Sequence, residues 1–381
     1  MLRLSDIVGQ DAAVGRLRQA MARSRLPHAL LFAGPPGVGK GTTADALAAA
    51  LLCPESARDG RARDACGRCA DCRMMESGTH PDFHRVYKEL AAYHDDPDVR
   101  ARKMQELSID VIRSFLIAPS CGAPARGRGK VFVVEEAESM SRDAQNCLLK
   151  TLEEPPLGAT IILLSSQAEE LLPTTRSRCS PVRFGPLPRE FVAGRLQAAG
   201  VEAGQAGFWA ALAGGSVGEA LRLAKGDLYE TKRRLLEEIA AMDSGGESRL
   251  TETLNKVGER LTESAVREAK KELDVGLAKS LATRRAIGTV LQILSSAVTD
   301  ALRLRCGDED PGASPTPAAD LVHADQPAEI AALARRFDAE QLADVLDQLS
   351  QYEQLLWRNA NTKILWDNVV ITLASAAPLR V

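Results

Sequence analysis

Four groups of residues in this chain have the types and spacing to do chemistry. The first is Gly34-Pro35-Pro36-Gly37-Val38-Gly39-Lys40. Glycines so spaced let backbone N–H groups turn inward around phosphate oxygens. A helix starting just after them adds partial positive charge, and a lysine at position 40 reaches the terminal phosphates. Such a loop takes ATP with Mg²⁺. A hydroxyl residue ordinarily follows the lysine and ligates the metal. Here Gly41 stands in that place, with Thr42 one step further, so nucleotide binding is expected to survive more easily than hydrolysis. The second group is Glu135-Glu136, closing an apolar run. An acidic pair at a strand tip would hold Mg²⁺ and orient an attacking water, with Glu136 the catalytic carboxylate if the site hydrolyses ATP. Glu135 is one methylene longer than the aspartate usual there. The third group is Cys53, Cys66, Cys69 and Cys72. Four thiolates enclose a zinc ion tetrahedrally and leave no position for water, so the metal would be structural. Gly67 eases the tight turn, and His80 or His84 would be needed as ligands only if a cysteine were missing. The fourth is the basic run Arg126-Gly127-Arg128-Gly129-Lys130, which reads as a solvated turn before a strand, with contact to DNA phosphates the competing reading.

These groups need elements to position them. Leu30 to Ala33, Phe83 to Tyr87, Val131 to Val134, Ile161 to Leu164 and Val182 to Phe184 are short apolar runs. Continuous runs of this kind predict strands buried on both faces, as in a parallel sheet covered by helices. Helical patterns lie between them. Ser108 can cap one helix bearing Ile109, Ile112, Phe115 and Leu116. Ser141 can cap another bearing Ala144, Cys147, Leu148, Thr151 and Leu152, which Pro155-Pro156 ends. The expected fold is an α/β phosphate-loop module over residues 1–184 carrying the four-cysteine insert at 53–72. A small helical domain over 185–226 and an all-helical domain over 227–381 follow. In the last, Ile287, Val290, Leu291, Leu294, Val298 and Leu302 make one apolar stripe. Leu342, Val345, Leu346, Leu349, Tyr352, Leu355 and Leu356 make another, with Asp338 and Gln341 a capping pair. Cys306 to Asp320, rich in Pro, Gly, Asp and Ser, reads as an exposed loop. Trp357 and Trp366 read as core or interface anchors, and His28 as structural.

Composition sets the outer bounds. The chain has 381 residues, 48 Lys+Arg against 51 Asp+Glu, 45% hydrophobic and 26% charged. At roughly 100–200 residues per domain this is two or three soluble domains. Global disorder, a collagen-like repeat and a disulfide-stapled miniprotein are excluded. No run approaches the length of a membrane span, and residues 1–10 lack the layout of a signal peptide, so the expected place is the cytoplasm. Clustered cysteines in a reducing compartment favour metal over disulfides.

The motifs together resemble a known family. Asp6-Ile7-Val8-Gly9-Gln10, the phosphate loop and Glu135 to Glu138 are similar to an AAA+ ATPase module. Cys147 to Pro156 and Leu172-Pro173-Thr174-Thr175-Arg176-Ser177-Arg178-Cys179 are similar to its clamp-loader branch. The cysteine insert followed by Gly78-Thr79-His80-Pro81-Asp82 is typical of the bacterial DNA polymerase III clamp loader. The resemblance spans roughly residues 5–221, and the C-terminal third matches only in being helical, as the family's oligomerising collar is. It implies that Arg178 of the Ser-Arg-Cys element acts in trans, reaching the γ-phosphate on a neighbouring motor subunit. It implies that Ser165 and Ser166 lie where the γ-phosphate is sensed, and that Val8, Gly9 and Gln10 lie near adenine. Gly41, Glu135 and Gly218, which stands where motor subunits carry a sensor arginine, are departures. With no long tail after the collar, they make the chain resemble the delta-prime branch more than gamma/tau motors. The implied role is a stator with little or no ATPase and no polymerase activity of its own. Its implied partners are gamma/tau and delta subunits, with the sliding clamp and primer-template DNA met through the complex, and no membrane. The competing readings are a gamma/tau-type motor and a non-replicative AAA+ scaffold.

Overall fold

The structure, a computed structural model, describes residues 3–56, 64–101, 106–156, 158–225, 228–241, 275–309, 320–357 and 361–374. The chain forms two compact units, Met1–Phe191 with Gly215–Glu219, and Val192–Gly214 with Ala220–Val381.

The first unit is built on a five-stranded sheet. Its strands are β1 (Ala29–Ala33), β2 (Phe83–Val86), β3 (Lys130–Val134), β4 (Ala159–Ser165) and β5 (Ser180–Arg183), ordered β2-β3-β4-β1-β5. Every neighbouring pair is parallel. Each strand predicted from an apolar run is present, shifted by no more than two residues at either end. The reason is burial on both faces. Leu31, Phe132, Val134, Ile161 and Leu163 pack into one core. Leu30, Phe32, Val131, Val133, Ile162 and Leu164 pack into another on the opposite face. Helix α1 (Asp11–Ala22) and helix α2 (Lys40–Leu52) supply the second core with Leu17, Met21, Ala44, Leu47 and Ala48. The predicted caps form: Ser108 accepts from the Val111 N–H, and Ser141 from the Ala144 N–H at 3.2 Å. The helix Arg142–Glu153 buries Ala144, Leu148 and Leu152 completely. His28 Nε2 lies 2.9 Å from the Leu152 carbonyl, a structural role as read. The fold is therefore the expected α/β phosphate-loop module, a parallel sheet flanked by helices, and no helix among the described residues is long and apolar enough to cross a membrane.

The second unit is helical throughout its described residues. Short helices Arg189–Ala198, Ala203–Leu212 and most of Val217–Ala224 are followed by Leu228–Ala240, Val275–Glu309, Pro327–Arg336, Ala339–Trp357 and Thr362–Ala374. Ile287, Val290, Leu291, Leu294 and Val298 meet Leu342, Val345, Leu349, Leu356 and Trp366 in one core. The Asp338–Gln341 capping box is reciprocal, at 3.0 and 2.8 Å. Two readings need correction. Leu355 leaves its stripe and is 44% exposed, because the core face of that helix is already filled by Leu349 and Leu356. The segment from Cys306 is not a loop at its start. The helix runs on to Glu309 through Gly307, whose cost of about 1 kcal/mol does not stop a helix anchored by Ala297, Val298 and Ala301. Residues 310–319, the 226–227 boundary and the Trp357 side chain lie outside the described residues.

Candidate functional site

The phosphate loop leaves β1 and turns into α2. Gly34, Gly37 and Gly39 all have positive φ, with Gly39 the left-handed residue just before the helix. Two of these glycines are also required by packing. A β-carbon on Gly34 would collide with the Phe184 carbonyl oxygen, and one on Gly37 with Ser216 Oγ. A β-carbon on Gly218 would come within 3.3 Å of Gly37 Cα. The loop thus packs tightly against Ser216 and Gly218. Gln10 is buried and ties the loop down, donating to the carbonyls of Val38 at 3.1 Å and Gly185 at 2.7 Å. Val8, two residues earlier, is 53% exposed. Lys40 Nζ donates to the Gly34 and Pro35 carbonyls, at 2.6 Å each. Burial lowers its pKa, and the nearby Glu138 carboxylate works against that shift. Thr43, buried, donates its hydroxyl to the Gly39 carbonyl, whereas Gly41 brings no side chain and Thr42 is exposed.

The strand-tip acids all find partners within the chain. Arg85 on β2 is in register with Val133 of β3, two residues before Glu135. Its guanidinium forms ion pairs with Glu135 and with Asp45 of α2. Burial would lower the Arg85 pKa, but the two carboxylates raise it overall. Burial raises the Asp45 pKa, and Arg85 restrains the rise. Glu136 sits in the left-handed region at φ 45°, a conformation uncommon outside glycine, and accepts from Lys88 Nζ at 2.7 Å. Glu138 accepts from both the N–H and the hydroxyl of Ser166; these bonds outweigh burial and lower its pKa. Ser165 is buried at the end of β4, where its Oγ accepts from the Gln167 N–H. The structure thus brings Lys40, Ser166 and Glu138, an acid the sequence reading did not single out, to one end of the sheet. It adds Asp45, Arg85 and Lys88, which that reading missed.

These residues test the fit of Mg²⁺. The ion needs near-octahedral oxygen ligands, with one or two carboxylates supplied by protein. Here the residue after the lysine has no oxygen to offer, and Glu135 is bound to a guanidinium that also holds Asp45. The donor set does not suit the metal.

The cysteine group fits its expected metal. The four sulfurs lie within 4.8 Å of one another. Cys53 and Cys69 Sγ are 3.8 Å apart, and Cys66 and Cys72 Sγ 3.9 Å. Zinc–sulfur bonds of about 2.3 Å in a tetrahedron space the sulfurs by about 3.8 Å. Backbone N–H groups point at the sulfurs: Cys66 at Cys53, Cys69 at Cys66, and Cys72 at Cys69, each at 3.3–3.4 Å. Burial pushes the Cys66 thiol up, but N–H donors and neighbouring thiols outweigh it and bring it down to about 6. The basic run 126–130 is anchored here. Arg126 Nε donates to Asp71 at 2.9 Å, the Arg126 N–H to Asp82 at 2.7 Å, and Arg128 to the Cys53 carbonyl. Its arginines brace the cysteine insert while residues 125–128 remain an exposed turn, as read. His80 instead pairs with Asp71 at 3.4 Å, and His84 stacks on Phe132 at 4.7 Å.

Arg178 follows the helical turn Pro173–Arg176. Its Nη1 donates to the Thr174 carbonyl at 2.9 Å, and its Nε and Nη2 pair with Glu153. The arginine side chain is 31% and the glutamate 48% exposed. Cys179 is buried against the sheet core, which pushes its thiol up to about 12. The arginine is thus displayed at the surface beside a buried cysteine.

Comparison with known proteins gives a consistent kinship. A family model described as DNA polymerase III, delta subunit, matches residues 9–188, and one for the C-terminal part of the delta subunit matches residues 259–374. The chain is 37% identical over 161 residues to DNA polymerase III subunit delta' of Pseudomonas aeruginosa, covering 42% of this chain and 44% of that one. It is 33% identical over 232 residues to the delta' subunit of Escherichia coli, covering 60% and 64%. The tau subunit of Salmonella typhimurium is 33% identical over 193 residues, covering 51% and 27%. The matches therefore span less than two thirds of each of these relatives. A DNA polymerase III gamma subunit-related protein of Thermotoga maritima superposes with a TM-score of 0.39 at 15% identity, covering 94% of this chain and 98% of that structure. With the two delta models spanning most of its length, the chain belongs to the DNA polymerase III delta/delta' family, to which gamma and tau are related.

Proposed function

We propose that the chain is a delta-prime-type stator of a bacterial clamp loader. It presents Arg178 in trans to ATP held by a neighbouring gamma/tau subunit and helps place a sliding clamp on primed DNA in the cytoplasm. One contrast carries this reading. Both acids that close β3, Glu135 and Glu136, are engaged by cations of the same chain, whereas Arg178 is held at the surface by the exposed Glu153 carboxylate and the Thr174 carbonyl. A planar guanidinium so displayed matches phosphate oxygens, and such fingers contribute about 10³–10⁵ in rate. In this reading residues 1–184 are the nucleotide-binding-type domain, 185–226 a lid, and 227–381 the collar that joins gamma/tau and delta. Cys53, Cys66, Cys69 and Cys72 hold a structural zinc ion. The loop Gly34–Lys40 keeps the capacity to cradle phosphate, with Ser165 and Ser166 nearby.

The test is DNA- and clamp-stimulated ATP turnover by a reconstituted loader. Arg178→Ala should cut turnover at least about a hundredfold, and Lys40→Ala in this chain should change it little. If Lys40→Ala is the damaging change, the chain hydrolyses ATP itself and is a motor.

A further inference from the structure

We propose that Arg85 takes the place of Mg²⁺ in this chain's own phosphate-loop site, so that the site binds a nucleoside polyphosphate without a divalent cation. The placement carries the inference. Asp45 lies four residues after Gly41, on the same face of α2 and one turn beyond the position that ordinarily supplies the metal's hydroxyl ligand. Glu135 is the acid that would face that position from β3. The Arg85 guanidinium bridges the two, tying the helix that follows the phosphate loop to the tip of the neighbouring strand. A metal entering there would meet a fixed positive charge and would have to take Glu135 from it.

The bridge has a second consequence. Two carboxylates beside a phosphate loop repel the ligand, and something positive must cancel them. In a metal-dependent site the divalent cation does so. Here the Arg85 guanidinium offsets one of the two negative charges, and it remains charged whatever the solution holds. The rest of the cradle is intact: three positive-φ glycines, the Lys40 ammonium, and the N-terminus of a thirteen-residue helix.

The experiment titrates the full chain with ATP by calorimetry, once in excess Mg²⁺ and once in EDTA. The unmodified chain should bind ATP in both, with dissociation constants within about threefold of each other. Arg85→Lys keeps the charge and should keep that profile. Arg85→Ala exposes Asp45 and Glu135, and should lose about tenfold or more in EDTA while recovering in Mg²⁺. Unmodified chain that binds only in Mg²⁺, or in neither buffer, overturns the proposal. So does an Arg85→Ala protein that melts cooperatively and matches the unmodified profile. Should that variant fail to fold, the unmodified and Arg85→Lys titrations still decide. Because no other subunit is present, failure here leaves the stator reading standing, and failure of the Arg178 test leaves this one standing.

Discussion

The Arg178–Glu153 pair makes a prediction whose size follows from its exposure. If Arg178 acts on a neighbouring subunit, it has to leave Glu153 to do so. With 31% and 48% of the two side chains exposed, the pair is a surface salt bridge, worth about 0.2–1 kcal/mol. Glu153→Gln keeps the shape and removes the charge. Releasing the arginine from a restraint of that size can raise the rate by at most about fivefold, since 1.4 kcal/mol is about tenfold. Removing the arginine itself forfeits a finger contribution of about 10³–10⁵. The two substitutions should therefore act in opposite directions and differ in magnitude by two orders or more. The assay is stimulated ATP turnover of the reconstituted loader, read as kcat at saturating ATP, with thermal melts of each variant as a folding control. Glu153→Gln should leave kcat unchanged or raise it up to about fivefold, while Arg178→Ala lowers it steeply. A tenfold or greater loss with Glu153→Gln would refute the reasoning. Glu153 would then be needed to aim Arg178, and the contact would be a support in the working assembly.

Two further outcomes test the cysteine group and the second unit. The purified chain should carry one zinc ion by elemental analysis, and Cys72→Ser should abolish it. Amide exchange should then rise across 64–76 before the sheet is affected, because a four-thiolate zinc site supplies about 10–16 kcal/mol of apparent ordering energy. His323 makes the second unit acid-sensitive. It is fully buried against Phe208, its Nε2 is 2.8 Å from Ser296 Oγ, and burial, aided by Lys232, brings its pKa down to about 3. The unfolded chain protonates this group near pH 6.5, so it binds more protons than the folded chain between pH 6.5 and 3. The stabilisation is complete above pH 6.5 and is lost as pH falls toward 3. At pH 5 the loss is about 2 kcal/mol. Urea midpoints measured between pH 7 and 5 should fall accordingly, and His323→Leu should flatten that slope.

The sheet and its caps were legible because each depends on local pattern. A strand buried on both faces must be a continuous apolar run, and a serine before a helix has few other uses for its hydroxyl than the third backbone N–H. The four cysteines were legible for a similar reason: their spacing brings three sulfurs into one tight loop. What the sequence concealed depends on register across the sheet. Arg85 reads as an ordinary charge in Phe83-His84-Arg85-Val86. Only the pairing of Arg85 with Val133 carries it alongside Glu135, and only the packing of α2 carries Asp45 to its other side. One signal was present. An arginine inside a strand of a sheet covered on both faces must find a carboxylate, and the acids after β3 were the nearest available. The side-chain partners of Arg126 and Arg128, in a turn that is exposed as read, were hidden for the opposite reason. A Gly-Arg-Gly run has the composition of a solvated turn, and nothing local shows that Asp71 and the Cys53 carbonyl, more than fifty residues earlier, will receive its side chains.

The same facts bear on why the chain retains a phosphate loop at all. Where a loop no longer serves a ligand, the positions that stay fixed are those the fold itself constrains. Here Gly34 and Gly37 persist under direct packing pressure from Phe184 and Ser216, so the loop is held by the fold as well as by any ligand. The hydroxyl after Lys40, by contrast, has no packing duty, and Gly41 meets only Leu164 at 3.8 Å. Of the positions that would serve metal-dependent hydrolysis, the one after Lys40 is therefore free to change without cost to the fold. Glu135 with its Arg85 bridge and Gly218 against Gly37 are instead tied into the fold, at two elements that converge on the same loop. Such a module keeps its architecture without depending on metal chemistry of its own, which is what the proposed trans role of Arg178 requires.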